Sequence, residues 1–254
     1  MGSTQQPVIG FIGVGLMAHG MAQNLVTKGH PLVIMGHRHR EPVEHLKSLG
    51  AREATTAREL AQACDIVHLC VTGSPQVEAA VLGEQGLLAG AKPGLLIVDT
   101  STSEPDYTAR LREASAKQGV RVIDAPLART PVEAEAGKLN VMVGADAADF
   151  AALEPVLRAF AENVFHVGGP GAGHTIKLLN NFIAQAMCTS IAEAFAVGQR
   201  AGIDPNKLVE LVSAGLVNSG IFQVMAKTLK GDLGGMKFEL NNARKDVRYY
   251  RSEE

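Results

Sequence analysis

Cysteine is scarce in this chain. Cys64, Cys70 and Cys188 are the three there are, and none stands in a C-x-x-C or other metal-type spacing. No metal site is indicated, and a reducing, cytosolic compartment is expected. Charge of one sign is not in excess. The formal net charge is −2, which gives no reason to expect nucleic acid or an anionic membrane surface as a partner. No apolar run reaches the roughly 18 residues that a membrane span needs, and no signal peptide is visible. Internal repeats and low-complexity segments are missing too. The opening MGSTQQ is polar and expected to fray. What remains is an ordinary globular composition, 46% hydrophobic over 254 residues. That length is ample for a core in one large domain or two smaller ones.

From Pro7 to about Val167, short apolar runs alternate with helix-like stretches. The runs are VIGFIG (8–13), LVIMG (32–36), IVHLCV (66–71), LLIVDT (95–100), VRVIDAP (120–126), VMVGA (141–145) and VFHVG (164–168). Most are continuously apolar rather than alternating, as in strands buried on both faces of a mostly parallel sheet. Segments such as ARELAQAC and DYTARLREASAKQG have helical periodicity and crossover length. The expected fold is α/β, a doubly wound Rossmann sheet over 1–168. A long connecting helix is expected over 169–202, then an all-α second domain over 203–254. In the latter, Asp204 caps a helix that starts at Pro205.

Two stretches carry chemistry. In the first, Gly13-x-Gly15-x-x-Ala18 follows a strand and opens a helix, the context in which such glycines bind a dinucleotide. Gly13 permits the turn, Gly15 lets backbone approach a pyrophosphate, Ala18 allows close packing, and the helix N-terminus offers N–H groups to an anion. The second strand then ends in MGHRHREP, with no acid for a ribose 2′-hydroxyl. His37, Arg38, His39 and Arg40 follow instead. A guanidinium at Arg38 pairs with a 2′-phosphate that a carboxylate would repel, which favours NADP(H), with NAD(H) as the alternative. An exposed basic loop without a ligand is the plainer reading. In the second stretch, GGPGAGHTIKLLNNF (168–182), a glycine run opens the long helix, which carries Lys177, Asn180 and Asn181. Residues i and i+4 share a helix face, so Lys177 and Asn181 point the same way. A helical lysine is usually a surface residue, so position alone does not make it catalytic. His19, His68, His166 and His174 have no acid at telling spacing and read as structural.

Five segments in order, GFIGVGLMAHGMAQNL, VDTSTSEP, DAPLART…GKLNVMVGAD, GPGAGHTIKLLNN and ARKDVRYY, resemble the β-hydroxyacid dehydrogenase family over nearly the whole chain. The resemblance implies a hydride-transferring enzyme that interconverts a small anionic hydroxyacid and its semialdehyde, and that assembles as a homodimer or higher homo-oligomer. Lys177 matches the family's catalytic lysine and Asn181 its asparagine partner, with Asn180 beside them. Gly13, Gly15, Leu16 and Met17 match the pyrophosphate turn. Val71, Thr72, Val77 and Thr102 match positions along the adenosine and nicotinamide sides. Lys245 and Asp246 match a pair that closes over cofactor and substrate. The family's usual DAPVSGG is DAPLART here, so Ala128 replaces a serine, and Arg129 and Thr130 replace two glycines. The variant is similar to that of sulfolactaldehyde reductases, where an Arg-Thr pair meets an anionic headgroup. Relatives usually continue for several helical turns past Glu254, so a clipped second domain is expected.

These assignments are chemically coherent. An ammonium at Lys177 can protonate a carbonyl oxygen and stabilise developing alkoxide charge. Arg129 can bind carboxylate or sulfonate bidentately, or can pair with Glu133 or Glu135 at the surface. The competing readings are an imine reductase-like enzyme, which Lys177 argues against, and a dinucleotide-binding protein without turnover.

Overall fold

A computed structural model describes residues 6–36, 39–235 and 238–252. The chain opens with β1 (Ile9–Ile12), α1 (Leu16–Thr27), β2 (Leu32–Met35), α2 (Glu41–Ser48), β3 (Arg52–Glu53), α3 (Ala57–Ala63) and β4 (Ile66–Leu69). It continues through α4 (Ser74–Leu82), α5 (Leu87–Gly90), β5 (Leu96–Asp99), α6 (Pro105–Ala116), β6 (Arg121–Asp124), β7 (Leu127–Ala128) and α7 (Pro131–Glu135). The remainder is β8 (Leu139–Gly144), α8 (Ala147–Leu157), β9 (Ala161–Gly168), α9 (Ala172–Arg200), α10 (Pro205–Ser213), α11 (Gly220–Thr228) and α12 (Leu240–Arg251). Contacts cluster into two compact units. The first ends at Lys177, and the second runs from Leu178 to Ser252.

In the first unit the strand order is β3-β2-β1-β4-β5-β6-β8-β7, with β9 also paired to β8. β1 to β6 pair in parallel. β8 returns antiparallel to β6 and β7, a departure from an all-parallel sheet. Only residues 129–138 separate β7 from β8, too few for the dozen or more that a parallel crossover takes. The strands expected from the apolar runs are all present. β3 and β7, of two residues each, escape a reading based on apolar runs. Chain order reverses between β1 and β4, and ligands of such sheets bind at the carboxyl ends beside this reversal.

Alternation within the buried strands divides the core between the two sheet faces. Ile9, Phe11, Ile34, Val98 and Ile123 belong to one apolar cluster, and Ile12, Val33, Val67, Leu69, Ile97 and Val122 to the other. The side chains that each face receives come from alternate positions, as the pleat dictates.

His68 of β4 is fully buried, stacked 4.9 Å from the Phe11 ring and edge-on to Phe160 at 5.7 Å. Neither ring nitrogen has a hydrogen-bond partner among the described residues. Burial pushes its pKa down to about 3. The unfolded chain, with an ordinary histidine near 6.5, binds that proton first. This group's neutral packing is therefore fully favourable above about pH 6.5 and loses up to about 1.4 kcal/mol per pH unit on the way down toward 3. Urea unfolding at pH 7.5 and pH 5 is expected to show a smaller acid loss of stability in His68→Leu than in the wild type. An equal loss would refute the assignment.

The second unit is helical. Asp204 accepts from Asn206 N at 2.9 Å at the start of α10, with Pro205 in the first helical position. Phe222 and Tyr249 are its buried aromatics, and Phe222 meets Phe195 with ring centroids 5.9 Å apart. Among the described residues, no helix is long and apolar enough to cross a membrane.

Candidate active site

The turn after β1 is shaped for close approach. Gly13 has φ +86°, and a Cβ there would lie 2.4 Å from the Cys70 carbonyl oxygen. Gly15 caps α1 with extended backbone and no side-chain cap, and the first turn holds no acid. A Cβ on Gly15 would meet nothing within 4 Å, so the space above it is open. A helix N-terminus with no side-chain cap, beside open space at Gly15, fits a pyrophosphate. Leu16 is exposed, Met17 half-buried and Ala18 buried. A close backbone contact of α1 comes two residues past the motif: a Cβ on Gly20 would lie 2.5 Å from the backbone of Ala134 and Glu135 in α7.

Across the strand reversal, Val71 N donates to Ser101 Oγ at 3.0 Å. Thr72 is exposed and Thr102 half-buried. Val77 is fully buried in the core cluster beneath α4, so its side chain serves packing there. Beyond β2, His37 and Arg38 lie outside the described residues. Arg40 is committed elsewhere: it pairs with Glu44 at 2.7 Å and with Glu53 at 2.7 Å. The hydrogen bonds from Arg40 hold the Glu53 carboxyl down at about 2.

The start of α9 is built by a residue the sequence reading passed over. Asp124, fully buried at the end of β6, accepts from Gly171 N at 2.7 Å and from His174 N at 3.0 Å. A carboxylate there satisfies two orphan N–H groups and complements the helix dipole. The glycines follow from this. A Cβ on Gly173 would lie 2.5 Å from Met142 O, and one on Gly144 would lie 2.5 Å from Asp124 Oδ2. His174 is also fully buried. Its Nδ1 lies 2.8 Å from Thr108 Oγ1 and its Nε2 lies 3.7 Å from Asp99 Oδ2. Asp99 in turn accepts from Ser101 N at 2.9 Å and Ser103 Oγ at 2.8 Å.

Two histidines thus have acid neighbours that sequence spacing could not show. The second is His19, whose Nδ1 lies 2.6 Å from Glu135 Oε1 and whose Nε2 lies 2.8 Å from His45 Nδ1. Lys177 comes three residues after His174, half-buried, so the capped first turn fixes where its backbone stands.

In the second unit, Asn181 is 8% exposed and donates through Nδ2 to Asp246 Oδ2 at 2.6 Å. Asn180, exposed on the same helix, donates to Asn181 Oδ1 at 3.2 Å. Lys245 Nζ sits 3.1 Å from Asp246 Oδ1 and 5.1 Å from the Tyr249 ring centroid. The Lys-Asp pair of α12 therefore meets α9 at Asn181, and Phe182 stacks on Tyr250 at 4.2 Å one residue on. Asn181 is held in orientation through both of its polar atoms.

The segment DAPLART has a different character. Ala128 pairs with Asn140 across β7 and β8. Arg129 has φ +83° and is the sole non-glycine with positive φ among the described residues. That backbone favours glycine, and for arginine it costs roughly 1–2 kcal/mol. The guanidinium donates to Lys138 O at 2.6 Å and pairs with Glu162, rather than with Glu133 or Glu135. Thr130 is the N-cap of α7 and forms a capping box with Glu133, whose carboxylate accepts from Thr130 N at 3.0 Å. Both side chains thus have partners inside the fold, a use that runs against reading them as free substrate ligands.

Comparison with known proteins supplies the lineage. Residues 8–168 match the NAD binding domain of 6-phosphogluconate dehydrogenase. Residues 171–253 match the NAD-binding model of NADP-dependent 3-hydroxyisobutyrate dehydrogenase. A 2-hydroxy-3-oxopropionate reductase from Escherichia coli (strain K12) is 35% identical over 85% of this chain and 73% of its own length. An NAD-dependent L-serine dehydrogenase from Pseudomonas aeruginosa is 34% identical over 80% of this chain and 68% of its own. Among solved structures, a 3-hydroxyisobutyrate dehydrogenase from Salmonella typhimurium superposes with a TM-score of 0.83 at 27% identity, covering 97% of this chain and 86% of that one.

Proposed function

Because the chain belongs to the β-hydroxyacid dehydrogenase family and is an NAD(P)-dependent oxidoreductase, we propose that it interconverts a small anionic hydroxyacid and its semialdehyde, with NADP(H) preferred. The observation that carries this reading is the anchoring of α9. Asp124 fixes the helix start to the carboxyl end of β6, the sheet edge at which dinucleotides bind, and Lys177 stands on the next turn. Gly13, Gly15, Leu16 and Met17 would hold the pyrophosphate, with Val71, Thr72 and Thr102 along the neighbouring strand ends. A nicotinamide dinucleotide bound there would supply or accept the hydride. Lys177 hydrogen-bonds the substrate oxygen, gives it a proton during reduction and takes one during oxidation. Asn181, its amide fixed by Asp246, orients the substrate or the lysine head.

The NADP(H) preference rests on sequence. Gly36 follows β2 where an acid would bind a ribose hydroxyl, Arg38 supplies the charge for a 2′-phosphate, and Arg40 is tied to Glu44 and Glu53. An anion clamp at Arg129 requires its guanidinium to exchange Glu162 for the substrate headgroup. Exposed apolar residues on the helical unit, among them Ile183, Leu211 and Val217, suit a second copy of the chain. The free thiols of Cys64 and Cys70, pushed up to about 12 and about 11 by burial, suit a cytosolic setting.

The test is a steady-state panel: carboxylate-bearing semialdehydes, neutral aldehydes of equal length and cyclic imines, each with NADPH and NADH. Turnover is expected for the anionic semialdehydes, at higher kcat/KM with NADPH. Activity confined to imines or neutral aldehydes would overturn the reading.

A further inference from the structure

Helix α7 follows directly on DAPLART, yet it has only five residues. A helix that short does not hold itself, because nucleation costs more than so few hydrogen bonds return. Its place must come from tertiary ties, and those run to α1, the helix that opens at the dinucleotide turn. Asn24 of α1 lies under the end of α7. Its Nδ2 lies 3.1 Å from Ala134 O and 3.1 Å from Glu135 O, and 2.8 Å from Gly20 O of its own helix. Two amide hydrogens are shared among three carbonyls, two of which belong to the last turn of α7; Ala134 O also accepts from Gly137 N at 3.2 Å.

The surrounding residues are cut to this contact. Gly20 lets the backbones touch, since a Cβ there would lie 2.5 Å from Ala134 C. Gly137, at φ +68°, would bring a Cβ to 2.9 Å from Asn24 Oδ1. His19 adds a bond to Glu135 at 2.6 Å. On the far side the same segment is closed by Arg129 on Lys138 O and by Lys138 N on Glu133 O at 2.8 Å. Residues 129–138 thus form one short closed loop whose front is the headgroup segment and whose back is seated on Asn24.

We propose that Asn24 is a positioning residue for substrate selection: it seats α7 so that residues 128–130 are presented in a fixed relation to the dinucleotide turn of the same helix. It touches neither substrate nor cofactor. The inference rests on the oxidoreductase reading given above and adds the mechanical link between cofactor helix and substrate segment.

Asn24→Asp keeps the shape and removes both donors, placing a carboxylate against three carbonyl oxygens. Three readouts are taken on the folded variant. The KM for an anionic semialdehyde is expected to rise about tenfold, while kcat and the NADPH Kd stay within twofold. Deuterium exchange of a peptide spanning 127–138 should quicken severalfold, with the 16–27 peptide unchanged. Asn24→Gln, which retains two amide hydrogens, should recover part of both effects. Should Asn24→Asp compromise folding, Asn24→Ser, which keeps a single donor, gives the intermediate case. Unchanged exchange in 127–138, faster exchange with an unchanged KM, or an NADPH Kd that rises in step with KM would each overturn the proposal. A wild type inactive on the whole panel sinks the oxidoreductase reading itself. An active wild type with an unaltered Asn24→Asp sinks only the role of Asn24.

Discussion

Lys177→Ala is expected to lower kcat for semialdehyde reduction by about 10²–10⁴-fold, the usual contribution of a positioned acid or base. NADPH binding, followed by fluorescence, should stay within twofold, because the turn proposed to hold the pyrophosphate lies at the start of α1 and α9 remains capped by Asp124. The two effects separate because of where the lysine stands. It follows a first turn anchored by Gly171 N and His174 N on one carboxylate and by His174 on Thr108. Alanine is a better helix former than lysine, so the helix itself should persist and thermal stability should be preserved. A variant that lost kcat together with NADPH affinity would indicate structural damage rather than a missing proton donor.

Gly13→Ala and Gly15→Ala should differ in kind, although both sit in one turn. At Gly13 the backbone is left-handed and the added carbon would stand 2.4 Å from the Cys70 carbonyl oxygen, so β1 must part from β4. The left-handed backbone alone costs roughly 1–2 kcal/mol, and the overlap adds to it. Gly13→Ala should therefore lower the thermal midpoint by several degrees and weaken NADPH at least tenfold. At Gly15 φ is −77° and the added carbon meets no protein atom within 4 Å. Gly15→Ala should keep its thermal midpoint and still lose NADPH affinity, because the methyl occupies space that the pyrophosphate needs. Equal stability losses in the two variants would contradict this account of the turn.

What depends on local pattern is legible in the sequence. Continuous apolar runs marked the parallel strands, since burial on both faces needs nothing else. The glycine turn and the Asp204 cap were legible because each is a short contiguous signal. The partners of side chains were not, because they are brought together by the fold. Asp124 lies 47 residues from the Gly171 N–H that it caps, and His19 lies 116 from Glu135. Both β3 and β7 are too short to show a period. Arg129 is the instructive case. Its charge suggested an anion clamp, whereas the fold holds it at φ +83° with its guanidinium on Glu162. Any clamp must break that pair first, a competition that a list of residue types does not reveal.

The central claim is that Lys177 transfers a proton and does not merely supply positive charge. Arginine keeps the charge and the hydrogen-bonding capacity but does not give up its proton in proteins. Single-turnover oxidation of bound NADPH, followed at 340 nm after mixing with a carboxylate-bearing semialdehyde, separates the two. Lys177→Arg is predicted to remain within about tenfold of the slow Lys177→Ala rate, far below the wild type. A Lys177→Arg rate close to the wild type would show that charge alone suffices, and would contradict the assignment of Lys177 as the acid and base.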